Sequence, residues 1–157
     1  MRTLILVLIL LGVSFSLAQA APTYGTAMPD KHGFSARLES YTIFDRDLEN
    51  DYGELKSQQQ FFGLTYGVFH WLCLDLKAGG GDIRYRSLSD DKLNYDAGFA
   101  GGYGLRFKFL DKEKIKAVLG FEHISVHPHA TDEGEVKHQA ILDDWQWAVV
   151  GSYMIGK

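Results

Sequence analysis

The stretch Tyr95-Asp-Ala-Gly-Phe-Ala-Gly-Gly-Tyr-Gly-Leu-Arg-Phe-Lys-Phe109 decides the fold. At a period of two, Tyr95, Ala97, Phe99, Gly101, Tyr103, Leu105, Phe107 and Phe109 share one face. Asp96, Gly98, Ala100, Gly102, Gly104, Arg106 and Lys108 share the other. A half-buried strand of a soluble sheet alternates too, but usually over only about five or six residues. Here the bulky face is the apolar one, the opposite face is thinned by glycine, and the run is long enough to cross a bilayer at a tilt. The reading is a transmembrane β-strand, with the alternate residues from Tyr95 and Ala97 to Phe109 facing lipid and Asp96, Arg106 and Lys108 facing a lumen.

Neighbouring segments can be phased against it. Phe34, Ala36, Leu38, Ser40, Thr42 and Phe44 oppose Ser35, Arg37, Glu39 and Tyr41 in a first strand. Phe62, Leu64, Tyr66 and Val68 oppose Gly63, Thr65 and Gly67 in a second; Leu72, Leu74, Leu76 and Ala78 oppose Cys73, Asp75, Lys77 and Gly79 in a third. The glycines at 79, 80 and 81 suggest a phase shift or bulge before Ile83 and Tyr85. After the opening stretch, a fifth strand turns Ile115, Ala117, Leu119 and Phe121 outward, with Lys116, Val118, Gly120 and Glu122 inward. In a sixth, Trp145, Trp147, Val149, Tyr153 and Ile155 oppose Asp144, Gln146, Ala148 and Ser152.

Long polar loops are expected at Asp45–Lys56, Ser87–Lys92 and His127–His138, and short turns at His70-Trp71 and Asp111–Lys114. Such an alternation of long and short connections marks outer-membrane barrels, whose periplasmic turns are short and whose external loops are longer. Export is written at the N-terminus. Arg2, the apolar Leu4–Leu11 and the small-x-small Ala18-Gln19-Ala20 predict a signal peptide over 1–20, with cleavage before Ala21. A lead-in over 21–32 and a barrel domain over 33–157 then follow. The formal charge of −4 leaves no basic footprint for nucleic acid. The single cysteine, Cys73, has no partner for an internal disulfide and reads as a small buried residue.

In signal peptide, strand pattern and loop asymmetry the chain resembles the outer-membrane β-barrel proteins of Gram-negative bacteria. The resemblance implies an all-β, antiparallel, up-and-down transmembrane barrel in the outer membrane, with lipid and the outer-membrane assembly machinery as its partners. About six strands are legible, against roughly eight in the smallest single-chain barrels of this class. The chain ends Tyr-Met-Ile-Gly-Lys157, where the family typically closes on an aromatic residue, so the expectation is a truncated sequence with further strands to follow.

Three functional readings follow. In the preferred one the protein is a structural or passive-pore component without enzymatic activity or cofactor. Its lumen is lined by Arg37, Glu39, Asp75, Lys77, Asp96, Arg106, Lys108, Lys116, Glu122 and Asp144. Mixed signs there serve either a packed interior or a water-filled pore. In the second, His123 and Ser125 fall on the lipid side of the fifth strand, with Asp132, Glu133 and Glu135 close behind, and hydrolyse an acyl ester. The pair looks like the His-x-Ser of outer-membrane lipid A deacylases, although the glycine- and asparagine-containing sequence that normally follows it is missing. Against this, the favoured local reading is a phase slip beyond Glu122 that turns Ile124 and Val126 to the apolar side and the histidines to water. His127 and His129 form a minor metal candidate. The third reading, a secreted soluble barrel holding an apolar ligand, inverts the faces and turns Asp96, Arg106 and Lys108 outward. Trp71, Phe107 and Phe109 are expected near the short turns, and Trp145 and Trp147 toward the opposite interface, as aromatic belts.

Overall fold

A computed structural model of the chain describes residues 25–48, 52–89, 91–133 and 136–155. The predicted signal peptide and the first residues of the lead-in lie outside them. The described chain is all-β, with strands β1 (Phe34–Asp47), β2 (Glu54–Phe69), β3 (Leu72–Arg86), β4 (Lys92–Asp111), β5 (Ile115–His127), β6 (Thr131–Glu133), β7 (Val136–His138) and β8 (Leu142–Tyr153). Six of them form one antiparallel sheet in the order β1-β2-β3-β4-β5-β8, curled into a half-barrel. β6 and β7 form a separate two-stranded hairpin inside the segment predicted as the loop 127–138.

Strand order follows chain order, so every connection joins spatial neighbours, the up-and-down arrangement that short turns permit. The strands run longer than the apolar alternation alone suggested. Asp45–Asp47 and Glu54–Lys56, predicted as loop, are paired: Arg46 sits opposite Leu55 and Asp47 opposite Glu54. Polar side chains on both outward faces hid this extension, because a strand in water needs no apolar outer face.

The phase reference itself needs one correction. Between Gly81/Gly98 and Ile83/Tyr95 one residue of β3 faces two of β4, a bulge that sets Asp96 and Ala97 against Asp82. β3 keeps its phase from Cys73 to Ile83, all of whose odd positions but Gly79 are buried. The slip therefore belongs to β4. Tyr95 turns inward and is buried, while Asp96 is exposed and does not line the interior.

Inside the curl, directly opposed residues share a face, so each ladder position makes a row across the sheet. One row reads Arg37, Gly63, Lys77, Gly102, Ile124, Asp144; the next toward the short turns reads Ser35, Thr65, Asp75, Gly104, Glu122, Gln146. From β1 to β4 of the first row charged side chains alternate with glycine, and in the second Gly104 separates Asp75 from Glu122, as a narrow interior requires. A methyl group at Gly63 would lie 2.7 Å from Glu39 Oε1 and 3.0 Å from the Arg37 side chain. At Gly102 it would come within 3.0 Å of the Lys77 stem. The space left by these glycines is filled with side chain.

The interior changes character along its length. Toward the short turns it is charged; toward the long loops Tyr41, Ile43, Leu55, Phe61, Ile83, Tyr95, Ala100, Ile124, Val126 and Leu142 pack into an apolar core. The outer surface changes the opposite way. Phe34, Leu38, Phe62, Leu64, Leu74, Leu76, Phe99, Tyr103, Leu105, Trp147 and Val149 are exposed around the turn half. In the loop half Gln58, Gln60, Arg84, Asn94 and Asp143 face outward, together with the apolar Phe44 of β1.

Candidate functional site

The charged interior is the first candidate. Asp75, 2 % exposed, is its hub. Arg106 grips it two-pronged, Nε to Oδ2 at 2.8 Å and Nη2 to Oδ1 at 3.0 Å, while Arg37 donates Nη1 to Oδ1 at 3.2 Å. Thr65 donates its hydroxyl to the same carboxylate and accepts from Arg37 and Arg106. One layer toward the loops, Lys77 Nζ binds Glu122 Oε1 at 2.6 Å and Glu39 Oε2 at 3.5 Å, and Glu39 pairs with Arg37. Lys77 Nζ also lies 4.9 Å from the centre of the Phe61 ring, where the charged layer meets the apolar core. Arg37, Lys77 and Arg106 balance Glu39, Asp75 and Glu122, so the buried network carries no net charge. Networks of this kind persist in a low-dielectric interior only when each charge is paired and hydrogen-bonded.

The lead-in closes the turn end. Arg106 Nη1 donates to Ala27 O at 3.0 Å, His32 N donates to Gly67 O at 2.6 Å, and Thr26 Oγ1 lies 2.7 Å from Ser152 Oγ. Of the predicted lumen residues, Arg37, Glu39, Asp75, Lys77, Arg106 and Glu122 meet in the network. Asp144 also faces inward but at the loop end, bound to Arg46 Nη2 at 3.1 Å. Lys108 and Lys116 gather instead around Asp111 at the rim, at 3.0 Å and 3.8 Å. Thr65, central to the network, escaped notice because a threonine on an inward face carries no charge to draw attention. Its place in the phase of β2 was the available signal.

The second candidate lies outside. β5 holds one phase throughout, since Val118, Glu122, Ile124 and Val126 are all buried inward. The expected slip does not occur: Ile124 and Val126 fill the core, and His123, Ser125 and His127 share the outer face. The hydrogen-bond partner is not the predicted one. Ser125 Oγ lies 2.9 Å from His127 Nε2, while His123 Nε2 lies 3.3 Å from Asp143 Oδ1. The His123 ring is flanked by Trp145 at 4.1 Å and Tyr103 at 5.2 Å between centroids. Hydroxyl and imidazole are thus within proton-transfer reach, but the carboxylate orients the neighbouring histidine. Among the described side chains, which do not include those of Asp132 and Glu133, no single Ser-His-carboxylate relay is assembled. Glu135 lies outside the described residues. For His127 and His129, no three His, Cys, Asp or Glu side chains converge as ligands among the described residues.

Aromatic residues gather at two levels of the outer surface. Phe69 stacks on Trp71 at 5.1 Å and Trp71 meets Phe107 edge-on at 5.4 Å beside the short turn. Phe121 contacts Trp147 at 4.8 Å and Trp145 at 5.7 Å higher up. Comparison with protein-family models, with curated proteins and with solved structures finds no match.

Proposed function

We propose that this protein is an outer-membrane β-barrel with a structural, non-conducting role. The observation that carries the reading is the interior: a neutral, paired charge network across the turn half and an apolar core across the loop half leave the lumen to side chains, not water. The exposed apolar band agrees with a lipid environment. It covers eleven residues on β4, Phe99–Phe109, which matches the roughly 9–11 residues a tilted strand needs to cross a bilayer, and a shorter seven on β2, Phe62–Val68. A contiguous apolar surface of this extent on a soluble monomer would drive association. The inward burial of Arg106 also weighs against a soluble barrel with its large residues inside.

Planar-bilayer recording of the purified full chain tests the role: no stepwise conductance is expected, and reproducible ohmic channels would overturn it. Heat-modifiable migration after detergent extraction from envelopes tests the location, which recovery as a soluble periplasmic monomer would refute.

A second reading rests on the Ser125–His127 bond. A serine and an imidazole on the outer face, just above the apolar band, suit attack on an acyl ester of a lipid: Ser125 Oγ bonds the carbonyl carbon as His127 takes its proton, the ester C–O bond breaks with that proton passing to the departing alcohol, and water then frees the fatty acid from Ser125. Fatty-acid release from lipid A that is lost in Ser125→Ala and His127→Ala would support it; release unchanged in both would remove it.

A further inference from the structure

The lead-in crosses the turn-side mouth of the interior and takes no part in the six-stranded ladder. We propose that residues 26–33 are a displaceable plug: seated, they seal that mouth over Cys73 and the Arg106–Asp75 pair, and unseated they open the charged interior to water and small solutes. The inference adds a conformational role to the structural reading above and holds whichever solvent surrounds the outer face.

The seat is built into the wall. One step toward the turns from the row of Asp75, the inward positions are Gly67, Cys73, Arg106, Gly120 and Ala148. Four of the five carry a methyl group, a thiol or no side chain at all, and over β2 the backbone of the lead-in takes the space so left. A methyl group at Gly67 would lie 2.9 Å from Pro29 O and closer still to Asp30 O, so only glycine admits the segment there. His32 N donates to Gly67 O at 2.6 Å and Gly67 N to Gly33 O at 3.0 Å. Farther across, Arg106 Nη1 reaches Ala27 O at 3.0 Å.

The cover is thin. Cys73 stands in the ladder between Gly67 and Arg106, the two points where the lead-in is attached, and is 0 % exposed. Above it Ala27, Asp30, Lys31 and His32 are all exposed. The cover is also strained where it joins β1. A turn at Lys31-His32, closed by Gly33 N on Asp30 O at 2.8 Å, holds His32 at φ 63°, a left-handed conformation that costs any residue with a Cβ. A segment tied mainly through backbone polar groups, with few buried apolar contacts, opens locally far more readily than the strands beneath it.

Cys73 is the only cysteine of the chain and therefore reports the opening by itself. In detergent, a charged methanethiosulfonate reagent should modify it slowly in the parent chain. Two variants unseat the plug from opposite sides. Gly67→Val fills the seat, whereas His32→Pro leaves the wall untouched, forbids the positive φ and removes the N–H that bonds Gly67 O. Both should speed the modification on the order of tenfold or more, with the β-sheet circular dichroism retained. His32→Gly relieves the strain, and Gly120→Ala adds a methyl group with room on the same row; both should react no faster than the parent.

Modification of His32→Pro no faster than the parent would overturn the proposal, even where Gly67→Val fails to fold. So would rapid modification of the parent chain itself. An equal rise in Gly120→Ala would place the leak in the wall and have the same effect. Because thiol access is read in detergent, failure here leaves the membrane reading to its own tests.

Discussion

The turn half and the loop half of this sheet solve the same packing problem with opposite chemistry. In the turn half Leu76 and Leu105 face out while Asp75, Lys77 and Arg106 face in; in the loop half Gln58 and Arg84 face out while Ile83, Ile124 and Val126 face in. The same strands carry both patterns, and on β3 the change needs no change of phase. Environment, not backbone geometry, dictates which face is apolar. An apolar exterior is stable only where water is absent, and a buried charge only where it is paired. The boundary can be followed from strand to strand: Leu38/Ser40, Phe62/Gln60, Ala78/Gly80, Phe121/His123 and Trp145/Asp143. On this reading the loop half stands clear of the lipid as a conventional water-facing barrel, and Ser125 with His127 lies just beyond the boundary.

The largest effect should come from the hub of the charged half. Asp75→Ala takes the two-pronged carboxylate from the buried Arg106 and one of two carboxylate partners from the half-buried Arg37, and should cost about 3–5 kcal/mol, read as a lowered urea midpoint of the refolded protein in detergent. A loss below about 1 kcal/mol would mean that water already reaches the network and that the interior is not packed. Next come paired substitutions that compare the outer faces directly. Leu76→Lys in the apolar band should cost about 2–4 kcal/mol in lipid vesicles, whereas Gln60→Lys beyond the boundary should stay within about 0.5 kcal/mol. Equal costs at the two positions would erase the boundary.

Much of this was legible. Alternation of period two with glycine on the small face gave the strands of the turn half and six of the inward charges, because lipid or a packed partner demands strict segregation there. The loop half was less legible. Asp45, Arg46 and Lys56 look like loop residues because the outward faces of their strands turn polar there, which hides the continued pairing of β1 with β2. The bulge at Asp96-Ala97 was misplaced onto β3, since three consecutive glycines are a stronger local signal than an aspartate and an alanine. The Ser125–His127 pair was missed in favour of His123 because spacing along one strand cannot distinguish two histidines that flank the serine symmetrically. Asp143, on the neighbouring strand, takes the first and leaves the second.

A smaller effect tests why glycine sits inside the charged half. Gly63→Ala drives a methyl group against Glu39 and Arg37 and should cost about 1–3 kcal/mol by overpacking. Gly120→Ala, whose methyl group would find its nearest neighbour at 3.7 Å, should be close to neutral. Equal tolerance at both sites would indicate an interior wider than the described packing.

The smallest expected effect lies at the rim of the turn half, beyond the apolar band. The hydrogen bond from Lys108 holds the Asp111 carboxyl below its ordinary value of 3.8, with Lys116 and His70 adding to the attraction. A carboxylate whose pKa is depressed by folding stabilises the fold above its unfolded value, and the contribution is lost as pH falls through the folded value. The difference in unfolding midpoint between the parent chain and Asp111→Asn should therefore be present at pH 7 and fade as the pH drops below 3.8. The site is open to solvent, so added salt should diminish the difference at pH 7 as well. A gap that persists unchanged at low pH and high salt would show that Asp111 acts through turn geometry and not through charge. The contrast with Asp75, where pairing is enclosed and screening weak, would then rest on the buried hub alone.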